Sequence, residues 1–177
     1  AHAFASSGAD LSATLTDASA HVATVAVGVR RLAYKPDHDF DWTGATLAVT
    51  LDEPLWRGAD ARAVDGTLGY RLEQRDYRGR AFVNACPPGA MPEARCYVPG
   101  DRARADLVHV AMIKLTYTGQ RAASVGYELT VDDSTSFGSS FVRQRLSGSV
   151  TTPLPAHVFA TLSVVGDPSG AAGAVVS

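Results

Sequence analysis

Residues 46–51 read TLAVTL. Leu47, Val49 and Leu51 alternate with Thr46, Ala48 and Thr50. In an extended chain successive side chains point to opposite faces, so this run sets its large apolar groups on one side. The same period recurs outward. Upstream, HVATVAVGVRRLAY (21–34) is rich in β-branched residues and places Val25, Val27 and Val29 together; the Arg30–Arg31 step breaks the parity as a bulge does. Downstream follow GTLGYRLEQ (66–74), RAFVNAC (80–86), DLVHVAMIKLTY (106–117), SVGYELTV (124–131), FVRQRLSGSV (141–150) and HVFATLSVV (157–165). Turn-rich segments such as YKPDHD, DYRGR, YTGQ, DDSTSFG, TTPLP and GDPSG separate them.

No amphipathic helix of useful length interrupts this pattern. It predicts an all-β fold, an antiparallel β-sandwich of Ig-like or jelly-roll-like form over residues 21–166, with the apolar faces packed inward. The spacing across DYRGR predicts a hairpin joining strands near 70 and 82. Residues 1–20 carry few large apolar groups and read as an extended N-terminal tail. Residues 167–177 read as a C-terminal tail.

At 177 residues, 46% hydrophobic and 19% charged, the composition describes a folded domain, not a disordered chain. A net charge of -2 lacks the basic field that nucleic acid or anionic lipid requires. No apolar run approaches the roughly 20 residues of a helical membrane span. Ala1-His2-Ala3 fits the small-x-small pattern of a signal cleavage site, which predicts a mature, exported chain.

Two cysteines, Cys86 and Cys96, bracket the loop CPPGAMPEARC. The close pair around a Pro/Gly-rich loop reads as a disulfide and so as an oxidising, extracellular compartment. Zinc is disfavoured, since C-x9-C is not a usual ligand spacing and no second pair completes it. A loop stiffened by Pro87, Pro88 and Pro92 loses little entropy on binding, which makes Pro88, Met91 and Arg95 candidate contact residues. It loosely resembles the bridged reactive loops of small secreted protease inhibitors. A stapled solvent loop with no partner explains the same residues.

The stretch KPDHDFDWTG (35–44) carries Asp37, Asp39 and Asp41 at the spacing that opens many calcium loops. Its sixth and twelfth positions, counted from Asp37, are Trp42 and Ala48, so the glycine and bidentate glutamate of an EF-hand are missing. A strand entry, with Phe40 and Trp42 inward and the carboxylates in water, is the expected form; a looser calcium site is the alternative. Asp132–Asp133 reads as a solvated turn. No nucleophile elbow, zinc motif or phosphate loop occurs, and no cofactor is called for. Trp42, Trp56, Tyr70, Tyr77 and Tyr97 offer a possible sugar platform, which leaves a carbohydrate-binding module as a further alternative to a protease inhibitor.

With its size, 14 arginines against the two lysines Lys35 and Lys114, its all-β pattern and the polar segment AHAFASSGADLSATLTDASA, the chain resembles the small secreted adaptor of the umbrella toxin particles of filamentous high-GC bacteria. The resemblance implies a non-catalytic, extracellular protein-binding module. Its tail, with Ala3, Phe4, Ala5, Ser6, Ser7 and Leu11, would enter the cleft of a lectin of degenerate trypsin fold, and its sandwich would face the toxin stalk.

Overall fold

The computed structural model describes residues 3–85, 96–136, 139–153, 159–167 and 171–176. They form nine strands: β1 Ala3–Thr16, β2 Val22–Lys35, β3 Trp42–Arg57, β4 Ala63–Asn84, β5 Tyr97–Thr118, β6 Ala122–Ser134, β7 Phe141–Pro153, β8 Phe159–Asp167 and β9 Ala171–Val176. The only helical element among the described residues is a 3₁₀ turn at His38–Phe40. The all-β expectation holds. Two packed layers are not seen among the described residues: the strands make one sheet in the order β1 to β9, each antiparallel to its sequence neighbours. Substantial packing joins only consecutive strands, apart from the 3₁₀ turn against β2 and β4. There is no second sheet among the described residues to cover the first.

The two tails are also strands. β1 pairs residue for residue with β2, from Ala3 opposite Lys35 to Thr16 opposite Val22. β9 pairs with β8. Low intrinsic β-preference in Ala, Ser and Gly is overridden by the backbone donors and acceptors of the adjacent strand. The Arg30–Arg31 bulge is absent, and β2 runs through it in unbroken register on both sides. The DYRGR hairpin is absent as well. β4 continues through it to Asn84, with register shifts against β5 between Asp76 and Phe82. The register of β3 against β4 shifts instead between Pro54 and Trp56, as at a bulge.

The sheet has two unlike faces. Glu73, Asp106, Val108, Val110 and Asp132 share one, with Asp106 only 1% and Val108 3% exposed. In a single layer such burial arises only if the sheet curls around those side chains, so theirs is the concave face. Cross-strand hydroxyl pairs line it: Thr14 with Thr24 at 3.1 Å, Ser124 with Ser149 at 2.8 Å and Thr151 with Thr161 at 3.0 Å. Val25, Val27, Val29, Leu47, Val49 and Leu51, expected inside a sandwich, lie exposed on the convex face. Ala81, Val108 and Val110 are the buried hydrophobic residues among those described.

Candidate functional site

The convex face is built from the alternate apolar residues of consecutive strands brought into register. Leu11, Val27, Leu47 and Leu72 form one row across β1 to β4. Leu51, Leu68, Ile113, Tyr127 and Leu146 form another across β3 to β7. Leu115 with Val125, and Val150 with Leu162, extend the band toward β8. From β1 to β7 it contains no Asp, Glu, Lys or Arg between Ala9 and Leu15, Ala23 and Val29, Ala45 and Leu51, Val64 and Leu72, Leu107 and Tyr117, Ala123 and Val131, or Val142 and Val150 on this face. Charge returns only past the band, with Arg31, Asp76 and Asp133 at one rim and Glu53, in contact with His21, at the other.

Two hydrogen-bonding side chains interrupt the band, and each is met by a tyrosine of the same face. The Tyr70 hydroxyl lies 2.6 Å from His109 Nδ1. The Tyr127 hydroxyl donates to Gln144 Oε1 at 3.1 Å. Surface groups in water need no such partner. Groups facing an apolar medium do, because an unpaired polar group there costs several kcal/mol, of order 2–7.

The concave face gathers the charge. Arg104 grips Asp106 with two bonds, at 3.0 and 2.6 Å, and lies over the Tyr77 ring at 4.4 Å. Ser134 Oγ donates to Asp106 at 2.5 Å. Arg75 bonds Glu73 at 2.8 Å and covers the Trp42 ring at 5.0 Å. Asp132, expected in a solvated turn, is instead buried in β6, with no partner for Oδ1. Glu73, Arg75, Arg104 and Asp106 were not singled out from sequence, although R71-L-E73-Q-R75 and R104-A-D106 place like-facing charges at period two.

The predicted sites coincide with these faces only in part, through Leu11 in the convex row and Trp42 and Tyr77 in the concave cluster. Ala3, Phe4, Ala5, Ser6, Ser7 and Leu11 are exposed residues of the edge strand β1, not of a free arm. Cys86, Pro88, Met91 and Arg95 lie outside the described residues, as does the expected bridge to Cys96. The base of that loop is closed by the Ala85 N–H donating to the Cys96 carbonyl at 2.9 Å. The acidic triplet does not converge. Residues 38–40 turn as a 3₁₀ helix, so strand parity fails there: Phe40 is exposed and Asp41 buried. Asp37 caps Asp39 N–H. Asp41 Oδ1 accepts the Tyr34 N–H at 2.5 Å, and Oδ2 faces His38 at 3.1 Å and Arg78 at 3.8 Å. The Tyr34 bond, joined by His38 and Arg78, holds the Asp41 carboxyl below its usual range against the opposing effect of burial. Among the described residues no three metal-ligating side chains converge. The aromatic platform is divided, since Trp42 and Tyr77 are on the concave face and Tyr70 on the convex one.

No family model, curated protein or solved structure matches the chain.

Proposed function

We propose that this sheet is the wall of a membrane-spanning β-barrel, its convex face against lipid and its concave face lining a polar lumen. The observation that carries the reading is the uncharged apolar band on the exposed convex face, backed by a concave face that holds the charge. A water-soluble single-layer sheet would place its apolar set where it is covered; exposed patches of this extent mark contact with another apolar phase. A membrane admits strands only where each backbone group pairs with a neighbouring strand; β2 to β8 are paired on both sides, while the sheet is open at β1 and β9, so the proposed wall needs those two edges to meet each other or further strands.

The dimensions agree. The band on β5 runs from Leu107 to Tyr117 and on β6 from Ala123 to Val131. At about 3.4 Å per residue and a tilt of roughly 35–45°, such segments stand about 20–28 Å tall, against the roughly 25 Å apolar belt of outer-membrane barrels. The connections are also unequal. Those at one end, 17–21, 58–62, 119–121 and 154–158, span three to five residues; at the other, 36–41, 85–96 and 135–140 span six to twelve and 168–170 spans three. The expectation of no membrane span concerned helices: among the described residues no helix is long and apolar enough to cross. Strands do not enter that criterion. The adaptor reading finds support in one feature, the unpaired outer edge of β1, which offers a site for strand addition.

Single cysteines at Leu47, Ala48, Val49 and Thr50, in a Cys86→Ser, Cys96→Ser background and carrying an environment-sensitive fluorophore, test the proposal in phosphatidylcholine vesicles. Labels at 47 and 49 are expected to be quenched by nitroxide lipids and those at 48 and 50 to be spared. Equal quenching at all four, or a monodisperse native sheet in buffer without lipid or detergent, overturns the reading. If residues 3–16 instead act as an adaptor's docking element, deleting 1–20 leaves the rest of the sheet folded and removes only partner capture.

A further inference from the structure

We infer that the concave face carries a binding site for a small oxyanion, a carboxylate- or phosphate-bearing solute, centred on Arg71. The inference rests on the barrel reading for its role, since the site would face the lumen, but its geometry stands without it.

A groove of about 530 Å³ opens on the concave face across β1 to β4. Three arginines of this face line it, Arg30, Arg71 and Arg75, against the two carboxylate residues Asp10 and Glu73. The charges are not matched pairwise. Glu73 is taken by Arg75, at 2.8 Å. Asp10 reaches Arg30 only at 3.9 Å. Arg71 is half-buried, and among the described residues no carboxylate stands within ion-pair distance of it. A planar fork of donors, partly withdrawn from water and left without an acceptor, is the arrangement that recognises an oxyanion through two parallel bonds.

A Cβ at Gly28 would come within 2.0 Å of Asp10 Oδ1, so only glycine lets that carboxylate lie across β2 toward Arg30. A Cβ at Gly44 would stand 3.2 Å from the Trp42 ring. The indole lines the same groove beneath Arg75 and so reports on what enters. Rings of arginine in a pore select anions, which would make this groove a selectivity element for anionic solutes.

Trp56→Phe leaves Trp42 as the only tryptophan of the chain. The full-length protein in detergent is titrated with inorganic phosphate and, separately, benzoate at constant ionic strength, reading Trp42 emission. A saturable response to at least one probe is expected, and the probe that binds distinguishes a phosphate from a carboxylate ligand. Arg71→Gln should weaken it about 10- to 100-fold, as loss of a charge-assisted bond does. Arg71→Lys keeps the charge without the fork and should bind with intermediate affinity; it serves as the test if the Gln variant fails to fold. No saturable response to either probe, or Arg71→Lys binding as tightly as the parent, overturns the inference. Binding here is read in detergent and lipid contact by nitroxide quenching, so failure of one proposal is distinguishable from failure of the other.

Discussion

Val49 lies midway along the apolar band on β3, with Val25 of β2 and Tyr70 of β4 as its register partners. Thr50, one residue on, lies on the concave face between Thr24 and Gly69. Placing arginine at each in turn separates the two faces by a single residue. An arginine held at the middle of a lipid bilayer on a barrel's outer face costs about 2–4 kcal/mol, or a roughly 30- to 900-fold loss in the folding constant. If the convex face met water instead, Val49 would be an exposed surface position and its substitution would stay within about 0.5 kcal/mol. The structure therefore predicts that Val49→Arg loses about 2–4 kcal/mol and Thr50→Arg less than about 1 kcal/mol, because a luminal charge remains hydrated. Equilibrium folding of the full chain from urea into phosphatidylcholine vesicles, followed by tryptophan emission and by gel mobility of unheated samples, measures both. Equal costs for the two variants, or an unchanged midpoint for Val49→Arg, would refute the assignment of faces.

Other outcomes follow from particular contacts. Arg104→Ala strands the buried Asp106 carboxylate and should cost about 3 kcal/mol in the same folding assay, with partial recovery when Asp106→Asn is added. Gly44→Ala drives a Cβ to within 2.2 Å of the Gln74 carbonyl and should destabilise the β3–β4 pairing by about 1–3 kcal/mol. Gly166→Ala meets nothing within 4 Å and should be neutral or stabilise by up to about 1 kcal/mol. Because the Asp41 carboxyl is held below its ordinary value, its bond to the Tyr34 N–H is complete above the ordinary carboxylate pKa and is lost as pH falls through the lowered one. Hydrogen exchange at the Tyr34 amide should show protection that survives mild acid, then collapses, and that is absent in Asp41→Ala.

The strands were legible where large apolar residues alternate with small ones, as at 46–51 and 124–131. β1 was not, because AFASSGADLSATLT has few of the side chains that mark a strand; pairing with β2 supplies its backbone bonds regardless of side chain. The single strand β4 was divided in two at DYRGR, since glycine and charge mimic a turn whose backbone in fact stays in the ladder with shifted register. The acidic triplet misled for a related reason: parity arguments hold only while the chain is extended, and the 3₁₀ turn at His38–Phe40 breaks it.

What the sequence determined by itself is the period: which residues share a face, and hence that Leu47, Val49 and Leu51 act together. It did not determine which face is inside. Alternation is symmetric under exchange of the two sides, and a sandwich and a curled single sheet satisfy it equally. Only the tertiary structure breaks that symmetry, because the direction in which the sheet curls encloses Glu73, Asp106 and Asp132 and leaves the valines and leucines outside. Charged groups can be enclosed there because Arg104 on the same strand and Ser134 on the next satisfy Asp106, and Arg75 on the same strand satisfies Glu73. The apolar groups left outside are the observation on which the barrel proposal rests.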